Sequence, residues 1–230
     1  MSGKKKARNA VAQARSSSRR GGLLITGGAV VVLALLIGGV TVAVINSSKA
    51  QQATAEATNL SNPPATTAAG RDLAPPWPAP ADAAAGVRAA GLPMLSAEGT
   101  VEHLHAHLDI QVNGQTVAVP ADIGIDQAHN SISPLHTHDT TGVLHIESPV
   151  KRQFTLGELF SEWGVSLSAD NIGSLRNTGD KAVRVYVNGT LKTGNPAAVT
   201  FTAHDEIALI YGPLPASGSV PSHYDFQAGE

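Results

Sequence analysis

Between residues 102 and 112 apolar and polar positions alternate without a break. Leu104, Ala106, Leu108, Ile110 and Val112 fall on one side of the chain, and His103, His105, His107, Asp109 and Gln111 on the other. A period of two sends successive side chains to opposite faces of a strand, so one face predicts core and the other presents imidazole. Asn113-Gly114 follows, a pair suited to the positive φ angles of a tight hairpin, and residues 115–119 return as a second strand that Pro120 ends. Residues 121–134 show neither period, and a loop of that length predicts a functional or mobile segment. Alternation resumes in Val143–Ser148, where Leu144 and Ile146 oppose His145 and Glu147. Thr155-Leu156-Gly157-Glu158 is then a capping box that opens a short helix through Trp163, with Leu156, Leu159, Phe160 and Trp163 as its stripe and Gly164 as its stop. Ala182–Val187, turned by Asn188-Gly189, and residues 206–211 predict two further strands. Strands gathered around one helix make the fold class α+β.

Upstream the pattern is different. Residues 23–45 are an uncharged run rich in Val, Leu and Ile, and about 20 such residues suffice to cross a bilayer as helix. Lys4, Lys5, Lys6, Arg8, Arg15, Arg19 and Arg20 stand just before it. The positive-inside rule therefore predicts a cytoplasmic tail at 1–21, a single transmembrane helix at 22–46 that makes the membrane a partner, and an extracytoplasmic remainder. A cleaved signal peptide is the alternative, with Ser48-Lys49-Ala50 as a weak cleavage pattern, but its apolar region usually spans only about 7–15 residues. Residues 47–96, rich in Ala and Pro and without a sustained apolar period, predict a disordered linker. Within it residues 81–92 suit a short helix ended by Gly91 and Pro93, with Leu92, Met94 and Leu95 docking on the domain at 97–230.

Composition narrows the chemistry. The 230 residues include no cysteine, which excludes disulfides, zinc–thiolate sites, iron–sulfur clusters, blue copper and cysteine nucleophiles. Seven of the sixteen Lys and Arg lie in the first 20 residues and all eighteen acids lie beyond residue 50, so the exported part is acidic and nucleic acid is excluded as its partner. Seven of the nine histidines fall between 103 and 145, six of them in three clusters: His103/His105/His107, His136/His138 and His145.

Neutral imidazole is the commonest metal ligand, and on a strand positions i and i+2 project to one side about 6.6 Å apart, close enough for two imidazoles to share an ion. His105, His107, His136, His138 and His145 are accordingly the expected ligands, with His103 a spare and Asp139 or Glu147 a further ligand or an orienting partner. Nitrogen donors without soft sulfur suit zinc or copper(II) better than copper(I), since the chain has only Met1 and Met94. His129, His204 and His223 show no such pattern.

No H-E-x-x-H, H-x-H-x-D-H, G-x-S-x-G or phosphate-loop motif occurs. The leading expectation is a single-pass anchored, non-enzymatic metal-binding protein of the cell envelope: a carrier, buffer or sensor. Two alternatives keep the metal. One is a metal-dependent hydrolase or oxidoreductase with Glu147 or Asp139 as base; the other is an adaptor with a structural metal, binding an envelope protein through its sheet edge or the 121–134 loop. A pH-responsive histidine cluster, or histidines in ordinary hydrogen-bonding and surface roles, are the readings without metal.

Residues 142–212, through FTLGELFSEWGV, VRVYVNG and HDEIALIYG, resemble the ubiquitin-like β-grasp fold, and most closely its small sulfur-carrier members. The resemblance implies a β-grasp-like exported domain carrying an extra N-terminal β-hairpin. It does not bring the carrier function, because those proteins end at Gly-Gly whereas this chain runs on from Gly212 to Glu230. Residues 91–212, with HLHAHLDIQVNG, PLHTHDTTGVLHIES and EIALIYG, are also similar to a group of uncharacterised exported prokaryotic proteins, a likeness that implies one coherent unit and no activity.

Overall fold

In the computed structural model the described residues are 60–230, so the expected cytoplasmic tail, the membrane helix at 22–46 and the start of the linker lie outside them. No helix among the described residues is long and apolar enough to cross a membrane. The class is α+β. Among the described residues there are twelve strands: β1 (Glu102–Val112), β2 (Gln115–Val117), β3 (Ile125–Asp126), β4 (Ser131–Ile132), β5 (Leu135–His136), β6 (Val143–Ser148), β7 (Leu167–Ser168), β8 (Asn171–Ile172), β9 (Leu175–Arg176), β10 (Ala182–Val187), β11 (Thr190–Lys192) and β12 (Glu206–Gly212). Helix α1 covers Ala83–Ala89 and α2 covers Leu156–Trp163.

The main sheet has the order β11-β10-β12-β1-β6-β5, with β2 paired to β1. It is mixed, because β1 and β12 run parallel while the other pairs run antiparallel. β1 is long enough to serve two neighbours on one edge, β6 along its first half and β2 along its second. The strand expected to belong to an added N-terminal hairpin is thus central to the sheet. Its apolar alternation is the reason: Ala106, Leu108 and Ile110 are all buried against the main core.

Helix α2 forms where the capping box places it. The Thr155 hydroxyl accepts from the Glu158 amide, the Glu158 carboxylate accepts from the Thr155 amide, and Gly164 closes the helix at φ 72°, a left-handed conformation that glycine adopts without a Cβ clash. All eight of its residues are buried, not the apolar stripe alone.

The linker expectation needs correction from residue 60 onward. Leu60, Ala68, Trp77, Val87, Leu92 and Leu95 are buried in the folded unit, and α1 starts at the Asp82 cap within the expected 81–92 helix. Ala68 pairs with Leu167 and Arg71 with Val165. Trp77 meets Trp163 edge-on at 5.9 Å, and Trp163 Nε1 donates to the Pro78 carbonyl at 3.0 Å. An Ala/Pro-rich chain has no core of its own, but each large anchor that enters an existing core contributes roughly 1.5–3 kcal/mol. A few such anchors offset the cost of ordering the segment. Leu92 and Leu95 dock as expected, with Met94 packed beside them.

The 121–134 loop is likewise structured: β3 and β4 pair across it, Ile123 is fully buried, and Leu95 bridges to Ile132. The second face of the sheet, bearing the histidines, is partly covered by the chain after Gly212. Val220 packs on Tyr186, Ala208 and Ile210, and Tyr224 stacks on His107 with ring centroids 3.8 Å apart.

Candidate metal centre

Strand register assembles the site. His105 on β1 lies directly across from His145 on β6, and His145 lies directly across from His136 on β5, so three imidazoles form one row over three adjacent strands. Directly opposed positions hold their Cβ atoms about 4.5–5.5 Å apart, within reach for ring nitrogens. Two residues along β6, Glu147 shares the face of His145 and lies across from His103. His138 follows two positions after His136, and Thr137 between them fixes the pair: its hydroxyl donates to the Pro120 carbonyl and accepts from the Ile123 amide, at 2.8 and 3.1 Å.

His136 is the centre of this arrangement. It is fully buried, and its Nδ1 lies 2.9 Å from the Ser133 carbonyl, which only accepts, so Nδ1 carries the hydrogen. Burial, with help from the neighbouring His138 and His145, lowers its pKa to about 3 against the opposing field of Glu147. The ring is therefore neutral near pH 7 and keeps a lone pair on Nε2, which faces His138 Nε2 at 3.2 Å. A ligand ring oriented through its other nitrogen is the usual form of a metal-binding histidine. Ser133 is itself clamped, its hydroxyl donating at 2.5 Å to Glu162 on α2, a wholly enclosed carboxyl that burial raises well above the ordinary range.

His136, His138 and His145 bring one donor atom each to within 4.8 Å of one another, and so do His103, His105 and Glu147. Glu147 Oε1 lies 3.4 Å from His145 Nδ1, 3.6 Å from His103 Nε2 and 3.8 Å from His105 Nε2, while Oε2 is buried without a partner. Burial alone would raise the Glu147 pKa. The hydrogen bond from His145 and the surrounding imidazoles outweigh it and bring the value down to about 2, so the group is a carboxylate at neutral pH.

Two expected ligands part from the cluster. His107 lies across from Val143 on one side and Glu206 on the other, and both of its nitrogens are engaged: Nδ1 with Glu206 Oε2 at 2.7 Å and Nε2 with the Thr141 carbonyl at 2.9 Å. Burial opposes charge on this ring, but these two acceptors outweigh it and raise its pKa. His107 instead groups with Asp109 and Glu206. Asp139 turns away, its Oδ1 accepting from the Thr141 amide and hydroxyl, a local turn that an Asp followed by Thr-Thr-Gly forms readily.

Sequence reasoning missed Glu98, which groups with His136 and Glu147 and whose Oε1 lies 3.8 Å from His138 Nε2. Its segment can approach because Gly99 lies flat on β6, where a Cβ would come within 2.1 Å of the Ser148 backbone. A lone acid ahead of the strand gives no periodic signal. Of the remaining histidines, His129 pairs with Asp126, His223 with Asp225, and His204 lies 2.9 Å from the main-chain oxygen of Glu230.

The cluster is half open. His138 is about 44% exposed and His103 about 54%, whereas His105, His136 and Glu147 are buried. A cavity of about 420 Å³ adjoins His103 and His105 and is bounded across from them by His204 and Glu230. No family model, no curated protein and no solved structure matches this chain.

Proposed function

We propose that this protein is a single-pass, membrane-anchored, extracytoplasmic metal-binding protein, a carrier, buffer or sensor, that takes zinc or copper(II) at His136, His138 and His145 with Glu147 and Glu98 alongside. The observation that carries the reading is His136: neutral, buried, held at Nδ1 by a backbone carbonyl and turning its Nε2 lone pair toward the ring of His138. A surface of merely polar histidines gives no reason to bury one ring and fix its tautomer. Three imidazoles with carboxylate neighbours and no thiol suit zinc or copper(II).

The anchor rests on the uncharged run at 23–45 and the basic residues before it. The scaffold is β-grasp-like on this reading. Its support is the order β6-β1-β12-β10, with a parallel central pair and α2 between β6 and β10 in sequence. The grasp then runs over residues 102–212, with residues 113–142 set between its first two strands.

Elemental analysis of the full chain, purified in detergent without a histidine tag, tests the metal. Stoichiometric zinc or copper is expected, and no uptake of either after incubation and desalting would end the proposal. Protease added outside an intact inner membrane tests the topology by removing the domain after residue 60; protection until lysis would reverse it.

A metal-dependent hydrolase or oxidoreductase is the second reading, favoured by the exposure of His138 and the cavity beside His103 and His105. Three histidines leave a fourth position for water, with the Glu147 carboxylate near enough to take its proton. A buried structural metal in an adaptor is disfavoured by the same exposure.

A further inference from the structure

We infer that the cluster is a centre for two divalent cations, with the Glu147 carboxylate as the bridge between them. His136, His138 and His145 hold one ion, and His103 and His105 hold the other. The inference rests on the metal reading above and adds the nuclearity of the site.

Reach is the first argument. Metal–nitrogen bonds are about 2.0–2.1 Å, so two donors on one ion stand no more than about 4.2 Å apart. His103 on β1 and His136 on β5 lie two strands and one residue pair apart. Adjacent strands are about 4.8 Å apart, so one ion does not serve both ends of the array. The donors divide accordingly into two trios, each within 4.8 Å internally.

Glu147 is the second argument. It belongs to the His103/His105 trio and also groups with His136 and Glu98 on the other side. Its Oε1 lies between the two sets, 3.4 Å from His145 and 3.6 and 3.8 Å from His103 and His105, while Oε2, buried and unpartnered, is an acceptor with no protein donor. A buried carboxylate oxygen without a partner is costly unless something satisfies it, and a cation does so.

Charge is the third. Two dications about 3.5–4 Å apart repel strongly, and sites that hold such pairs place an anion between them. Glu147 is the anion at the junction, where His105 Nε2 and His145 Nδ1 approach to 3.0 Å. Glu98 supplies a second carboxylate beside His138. The ion on His103 and His105 would border the 420 Å³ cavity, which leaves its remaining positions to solvent or a small anion.

The test uses the full chain in detergent, stripped with chelator and loaded with copper(II), then desalted. Bound copper is counted by elemental analysis and its spins by electron paramagnetic resonance. Two coppers per chain are expected, with an exchange-coupled signal, transmitted through the bridging carboxylate, that integrates well below two isolated spins. His103→Ala, a change at a largely exposed ring whose folding is checked by far-UV circular dichroism, should bind one copper and give one full isolated spin. One copper in both proteins would overturn the two-ion centre and leave the mononuclear reading standing. Two coppers in both, with two isolated spins, would place the second ion elsewhere and equally overturn it. No copper in either, and no zinc when the stripped chain is loaded with zinc instead, would remove the metal reading itself.

Discussion

Two imidazole–carboxylate groups share one face of one sheet and do opposite things with their nitrogens. Around His136, one ring nitrogen is spent on the Ser133 carbonyl and the other meets only a second imidazole, His138, at 3.2 Å. Around His107, Glu206 and the Thr141 carbonyl take both nitrogens and Tyr224 covers the ring. In the first the remaining nitrogen meets only a neutral imidazole, which a cation could displace, and in the second both nitrogens face acceptors that raise the pKa of the ring. Residue type and i,i+2 spacing are the same on both, so the second nitrogen's partner decides whether a strand histidine is a ligand or a structural member.

The largest effect expected from breaking this contrast is on stability at the closed group. His107→Ala leaves the buried Glu206, whose pKa burial already raises, without its partner; stranding the carboxylate costs about 3–5 kcal/mol, and uptake of a proton relieves part of that cost. Chemical denaturation followed by the fluorescence of the buried Trp77 and Trp163 reads that loss, while metal stoichiometry should be unchanged. Loss of metal with little loss of stability would reverse the roles assigned to the two groups.

His136→Ala should give the mirror result. A zinc site is worth about 10–16 kcal/mol over four ligands, so deleting one costs about 3–4 kcal/mol, a several-hundred-fold rise in Kd. A competition titration against a chromophoric chelator measures it. An affinity unchanged within threefold would remove His136 from the site.

This division of labour was only half legible in the sequence. The alternation in β1, the Asn113-Gly114 turn, the capping box of α2 and the strands at 143–148 and 182–187 are local signals, and each element lies where the pattern places it. Pairing is not local. That β1 runs parallel to β12 and sets His107 opposite Glu206, 99 residues onward, depends on which strand lies next to which, and no spacing within β1 encodes it. The segment from Leu60 to Leu95 was misread for a related reason: its Ala/Pro composition lacks a core, while Trp77, Val87 and Leu92 use a core built by α2 and the sheet. The three clusters His103/His105/His107, His136/His138 and His145 were visible as donors, and the convergence of all but His107 followed once β6 proved to lie between β1 and β5.

Acid should separate the groups next. His136 has a folded-state pKa of about 3, below its unfolded value of about 6.5, so the unfolded chain takes up the proton first. Its contribution is complete above pH 6.5 and is lost as pH falls toward 3, about 3 kcal/mol of it by pH 4 at 1.36 kcal/mol per unit. His107 runs the other way: its raised pKa stabilises the fold fully below pH 6.5, and that stabilisation fades as pH rises through the folded value. Denaturation of chelator-treated protein at pH 7 and pH 4 should show the net acid loss, and His136→Gln should flatten it. A wild-type stability that does not fall between pH 7 and pH 4 would mean that His136 is protonated in the fold and has no free nitrogen to offer.

The smallest expected effect tests how independent the two groups are. Tyr224 lies nearly parallel to His107, 8° between the planes, and an aromatic pair of this kind adds about 0.5–1.5 kcal/mol beyond the area it buries. Tyr224→Ala should therefore lower stability by about 1 kcal/mol and, by uncovering a ring whose raised pKa depends on Glu206 and Thr141 and not on Tyr224, leave its pKa raised in a histidine NMR titration. Metal affinity should not change, since Tyr224 contacts His107 and Phe226 and none of the three rings at His136, His138 and His145. A shift of threefold or more in Kd would mean that the closed group is coupled through β1 to His105 and the cluster, and the contrast between a proton-holding half and a cation-holding half would give way to a single connected site.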